Sequence, residues 1–138
     1  MKTLQTSLNN IFMNESFIME QIGRQGLIDI VAAFYKKVPN DSILGPMYPL
    51  HDLDGAEERM RDFMLMRIGG EEDYMLKRGH PRLRARHMPF KIDTAARDRW
   101  LELMNQSMKE TNVPAEVEAQ LTAFFTQTAD FMRNTADK

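Results

Sequence analysis

The sequence contains no cysteine. That excludes disulfides, thiol nucleophiles and every metal centre built on thiolates. No apolar run approaches the ~18–20 residues that a membrane-spanning helix requires. The N-terminal stretch carries one lysine but no continuous apolar core behind it, so it makes a poor secretory signal. An excess of positive charge is also missing. The formal net charge is −2, which argues against a dedicated nucleic-acid binder. Glycine-rich loops of the kind that cradle phosphate are absent, since the glycines are few and scattered. No alternating β-branched run of useful length occurs, which removes the usual signal for strands.

What remains is helical. A chain of 138 residues is long enough for one domain with a substantial core. Residues 1–15 read as a polar N-terminal extension and 16–138 as the domain. Ser16 can cap a short helix through Ile22, with Gly23 and Gly26 interrupting it. From Gln25 onward Ile28, Val31, Phe34, Tyr35 and Val38 recur at helical spacing. Lys36 and Lys37 close that helix, where the dipole favours cations. Asp54 is the candidate N-cap of a helix to about Ile68, ended by Gly69-Gly70. Asp93 or Thr94 opens another to about Glu110. Pro114 to Asn134 forms the last, with Val117, Leu121, Phe124, Phe125, Ala129 and Met132 on one face. The fold class is all-α.

Within this slightly acidic chain one stretch is anomalous. Residues 77–91 hold six Lys/Arg, two of the three histidines and no Asp or Glu. The plain interpretation of such a run is a solvated basic face. The alternatives are phosphate, single-stranded nucleic acid or a carboxylate-bearing cofactor. Nucleic acid wants aromatics interleaved with the charges, and only Phe90 qualifies. A bare dication would be repelled by the arginines, and His80 and His87 lack the spacing of two ligands on one helix. Haem fits the combination best. It needs one neutral imidazole for its iron, cations and hydroxyls for its propionates, and a flat apolar slot. His87, the arginines with Tyr74, and the Phe/Met helix faces supply these. Twelve methionines suit an irregular apolar cavity, or an ordinary core in which Met stands for Leu.

The run Gly79-His80-Pro81-Arg82-Leu83-Arg84-Ala85-Arg86-His87-Met88-Pro89-Phe90 is followed by Ile92, Arg97, Trp100, Leu101 and Met104. Upstream stand Phe34-Tyr35, Pro46-Met47-Tyr48-Pro49, Gly55-Ala56-Glu57-Glu58-Arg59 and Gly69-Gly70 with Tyr74. Together these resemble the truncated haemoglobins of the second, O-type group over about residues 16–134. The resemblance implies a two-over-two helical sandwich around one haem b. It implies His87 as the iron ligand, its other ring nitrogen donating to a backbone carbonyl. It also implies Tyr35, Tyr48 and Trp100 as donors to a bound diatomic ligand. Ala56 would leave the site open, Met60 and Phe63 would lie against the haem, and Arg59, Tyr74 and Arg86 would meet the propionates. Phe90 and Met104 complete the expected cofactor contacts. The family usually places proline after the two glycines, where this chain has Glu71.

The function these implications support is reversible binding of oxygen and other diatomic ligands, by a cytoplasmic monomer or homodimer with no nucleic-acid or membrane partner. Each donor to a charged ligand contributes roughly 1.5–3 kcal/mol. Three of them imply slow release, which suits sensing or redox chemistry better than bulk delivery. The rival is a haem redox enzyme, a nitric-oxide dioxygenase or peroxidase fed by an external reductase. A rival of another class is a helical anion- or nucleic-acid-binding module using residues 77–91.

Overall fold

The computed structural model describes residues 13–137. Most of the expected extension, residues 1–12, lies outside them. Six α-helices follow one another among the described residues: α1 (Glu15–Lys37), α2 (Leu53–Arg67), α3 (Asp73–Arg78), α4 (Leu83–His87), α5 (Thr94–Glu110) and α6 (Ala115–Met132). Three short 3₁₀ turns, Val38–Asn40, Gly45–Met47 and Leu50–Asp52, join α1 to α2. The four long helices form two pairs, α1 with α2 and α5 with α6, stacked through α1 on α5. This is the two-over-two sandwich. No helix among the described residues is long and apolar enough to cross a membrane.

The caps correct several expected boundaries. The first helix is capped by Asn14, not Ser16, and starts at Glu15; the Asn14 side chain accepts the Phe17 N–H at 3.0 Å. Asn14 also donates its own N–H to Gln120 of α6 at 2.7 Å, tying the chain entry to the opposite layer. Gly23 (φ 65, ψ −176) kinks this helix, whereas Gly26 lies within it. A left-handed φ of this kind is open to glycine and strained for other residues. The second long helix is capped by Asp52, not Asp54; the Asp52 carboxylate accepts the Gly55 N–H at 3.2 Å. Its far end closes through Gly70 (φ 74), with the Glu71 N–H donating to Leu65 O at 3.1 Å. Asp93 caps α5 as expected, accepting from the Ala96 N–H at 3.0 Å.

Glu71 has a partner of its own. Its carboxylate takes the Arg24 guanidinium at 2.9 Å, joining the turn after α2 to α1 by an ion pair. Both side chains are partly exposed, so solvent screens the pair and its contribution to stability is small. The core behind all this is continuous. Ile18, Leu27, Ile30, Val31 and Phe34 of α1 meet Met64 and Leu65 of α2, Leu103, Met104 and Met108 of α5, and Val117, Leu121 and Phe125 of α6.

Candidate functional site

A cavity of about 570 Å³ opens between α2, α4, α5 and α6 and under the loop before α2. That is within the size range of small-molecule and cofactor sites. Eleven of the twelve residues expected at the site line it: Tyr35, Tyr48, Ala56, Arg59, Met60, Phe63, Tyr74, Arg86, His87, Phe90 and Trp100. Met104 does not. It lies one helical turn beyond Trp100 and is fully buried among the core side chains.

His87 stands at the last position of α4. Its Nδ1 lies 2.6 Å from the Leu83 carbonyl oxygen, one turn earlier in the same helix. A carbonyl only accepts, so Nδ1 carries the proton and donates. The imidazole is thereby set in one tautomer, leaving the Nε2 lone pair uncommitted. His80 is exposed and not part of the lining, and neither is His51.

The opposite wall is aromatic. Tyr35 and Tyr48 meet edge to face with ring centroids 5.7 Å apart. Phe34 sits behind both, 5.2 Å from Tyr35 and 6.4 Å from Tyr48, and packs against Trp100 at 5.6 Å. Trp100 in turn leans edge-on against Phe125 at 5.5 Å. One buried ring thus fixes three side chains that carry donors. Burial pushes the Tyr48 hydroxyl up to about 12, against the opposing effect of Trp100 and Tyr35 beside it. Burial, and then Tyr48 beside it, hold the Tyr35 hydroxyl well above the ordinary phenol range. Both phenols therefore remain protonated donors throughout the neutral range.

The loop that delivers Tyr48 is pinned from below. The buried Asp41 carboxylate accepts the Leu44 N–H at 2.9 Å, the Ile43 N–H at 3.2 Å and the Arg99 side chain at 2.6 Å. Arg99 precedes Trp100 in α5. One carboxylate therefore couples the turn leading to Tyr48 with the helix carrying Trp100. Burial works to raise the Asp41 pKa, but the backbone N–H of Leu44 and the Arg99 guanidinium outweigh it and leave it lowered.

Three cations lie at the rim. Arg59 is half-exposed and reaches Asp52 at 3.5 Å. Arg86 donates to the Arg78 carbonyl at 3.1 Å. Arg97 pairs with Asp98 at 2.7 Å and with Asp130. Tyr74, buried in α3, stacks edge to face on Phe63 at 6.0 Å, with the Arg78 guanidinium 5.4 Å above its ring. Arg78 is held there by the buried Asp62 carboxylate at 2.9 Å. The donor set suits a flat apolar cofactor with an anionic edge: one imidazole with a free nitrogen, hydrocarbon walls and a cationic rim.

Sequence reasoning missed a good part of the lining. Arg97, Phe124, Phe125, Thr128, Ala129 and Met132 all face the cavity. Positions 124, 128 and 132 form one stripe of α6, and Thr128 interrupts its apolar character.

Comparison with known proteins agrees with this geometry. The profile described as bacterial-like globin matches residues 17–134. The group 2 truncated haemoglobin YjbI of Bacillus subtilis is 34% identical over 115 residues, 83% of this chain and 86% of its own. The crystal structure of the group II truncated haemoglobin from Bacillus anthracis superposes with a TM-score of 0.83 at 32% identity, covering 92% of this chain and 95% of that one. The structure of a truncated oxygen-avid haemoglobin from Bacillus subtilis gives a TM-score of 0.79 at 34% identity, covering 84% and 98%.

Proposed function

The chain belongs to the bacterial-like globins, and within them to the group II truncated haemoglobins, a haem-binding family; from this we propose that it holds haem b on His87 and binds oxygen and other diatomic ligands reversibly. Haem supplies an iron that takes an imidazole on one face and a small gas on the other. The observation that carries the assignment of His87 is its Nδ1–H···O contact with Leu83, which presets the tautomer with a free Nε2 at the cavity wall. Tyr35, Tyr48 and Trp100 present O–H and N–H donors to negative charge on the ligand. Phe34 and the Asp41–Arg99 pair hold them in place beforehand. Ala56 leaves the ligand side uncrowded. Arg59, Arg86 and Tyr74 serve the propionates, and Met60, Phe63 and Phe90 the macrocycle.

The purified protein, loaded with haemin if it emerges colourless, should show a haem absorption spectrum that His87→Ala alters. A protein that takes up no haemin, and whose His87→Ala variant behaves identically, overturns the assignment.

Three donors around one ligand also favour a second use of the site. Tight holding of an anionic ligand suits nitric-oxide dioxygenation or peroxide chemistry, with electrons from an external reductase. Turnover of nitric oxide or peroxide in the presence of a reductase distinguishes this from simple ligand binding.

A further inference from the structure

α4 is five residues long, and none of its side chains is buried. A helix of that length has no stability of its own. Arg82, immediately before it, has φ 45, so the entry to the helix is not a regular cap either. The orientation of α4 must therefore come from contacts elsewhere. Arg86 bonds back to the Arg78 carbonyl and half-buried Leu83 packs against Ile92, Ala96 and Met132; most of the remaining polar contacts converge on the segment after α6. The Asn134 Nδ2 donates to the His87 carbonyl at 3.2 Å and to the Phe90 carbonyl at 2.9 Å. Its Oδ1 accepts the Ile92 N–H at 2.9 Å. The backbone N–H groups of Asn134 and Thr135 both donate to the Ile92 carbonyl, at 2.9 and 3.1 Å. From the helix side, Arg84 reaches back to the carbonyls of Phe131 (2.9 Å) and Arg133 (3.1 Å).

One side-chain amide thus spends both its donors and its acceptor on the backbone at residues 87, 90 and 92. That chemistry is specific to asparagine here. Aspartate would keep the acceptor and lose both donors, and alanine would lose all three bonds. The His87 ring is bonded to Leu83 within its own helix, so ring and helix move as one piece. Whatever fixes the end of α4 fixes the imidazole.

We propose that Asn134 is a positioning residue for the His87 imidazole, with Arg84 as its counterpart at the other side of α4. The segment from Phe131 to Thr135 acts as a strap that sets the tilt and tension of the ring. This rests on the assignment of His87 as iron ligand. Met132 of the strap faces the cavity, but Asn134 and Arg84 do not line it, so these two act on a ligand indirectly, through the segment that carries His87.

The test is the iron–histidine stretching band of the ferrous, ligand-free holoprotein by resonance Raman, in wild type, Asn134→Ala, Asn134→Asp, Arg84→Met and His87→Gly. Haemin dissociation and amide hydrogen exchange of the apoprotein complete the set. The band should be present in wild type and lost in His87→Gly. It should shift and broaden in Asn134→Ala, Asn134→Asp and Arg84→Met, with haemin lost roughly tenfold faster, about 1.4 kcal/mol. Exchange at Ile92 should rise in Asn134→Ala and less in Asn134→Asp, which keeps the acceptor. A band present in wild type and unmoved in the Asn134 and Arg84 variants overturns the strap alone. A wild type with no such band overturns the His87 assignment and the strap with it. If the Asn134 variants do not fold, Arg84→Met decides by the same criterion.

Discussion

Removing the donors around the ligand should change oxygen release by a factor that their number and placement determine. Tyr35→Phe deletes one oxygen atom and leaves the ring packed between Phe34 and Tyr48. Trp100→Phe deletes the indole N–H but also thins the contact with Phe34 and Phe125. A hydrogen bond to a charged group contributes about 1.5–3 kcal/mol. Each 1.36 kcal/mol is tenfold in rate. Either variant should therefore release oxygen roughly 10- to 150-fold faster. Stopped-flow displacement of oxygen measures this directly. Carbon monoxide is the control, because it carries little negative charge when bound and gains little from donors. Its release should change far less in Tyr35→Phe. In Trp100→Phe, a common change for both gases would report on the lost packing instead. The pH profile adds a second check. The phenol pKa values are raised, that of Tyr48 to about 12 and that of Tyr35 well above the ordinary phenol value, which keeps both hydroxyls neutral donors. Oxygen release should therefore be flat from about pH 6 to about pH 9. Unchanged oxygen release in both variants, or equal factors for oxygen and carbon monoxide in Tyr35→Phe, would refute the role given to these side chains.

Asp41→Asn should cost about 1.5–3 kcal/mol at neutral pH, because it removes the charge on which Arg99 and two backbone N–H groups converge. The native pKa of Asp41 is lowered, so its contribution is fully present above the unfolded value of about 3.9 and disappears as pH falls through the native value. Denaturant titrations of wild type and variant should differ at pH 7 and converge in acid; a gap independent of pH would contradict the linkage. Gly23→Ala should cost about 1–3 kcal/mol, although an added Cβ meets nothing within 4 Å, since φ 65 with ψ −176 is a glycine conformation. A thermal midpoint equal to wild type would show that the kink relaxes into regular helix at no cost.

The long helices were legible because their apolar spacing and caps are local signals. Asp93 three residues before Ala96, and the recurrence of Val117, Leu121, Phe124 and Phe125, say where α5 and α6 lie without reference to the rest of the chain. Where two capping residues compete at short distance, sequence alone does not decide. Asp52 and Asp54 both precede the apolar face of α2, and Asn14 and Ser16 both precede that of α1. The choice falls to whichever side chain the incoming chain aims at the free N–H groups. For Asp52 that is set by the 3₁₀ turn Leu50–Asp52, a product of the prolines and of packing further back. Periodicity fails differently at the cavity. It separates inside from outside, but a cavity wall and a solid core are both inside. Met104 and Met132 looked alike on their helices, yet one fills the core and the other faces the slot.

The strap shows the limit most plainly. The apolar pattern of α6 continues to Met132, and nothing local forbids two more helical residues. The helix nevertheless stops there, because Arg133 turns to extended backbone (φ −60, ψ 131) and Asn134 binds residues more than forty positions earlier. Asparagine ending a helix is a common local motif, so its identity carried no hint of a distant partner. What could have raised the question is α4 itself. A helix of one turn between Pro81 and Pro89, with no fully buried side chain, cannot by itself hold an imidazole still. A chain that uses such a helix for its one cavity-lining histidine must supply an external anchor. The search for that anchor belongs among the polar residues that stand where an apolar face runs out. Asn134 is such a residue, and so is Arg84 on the helix it restrains.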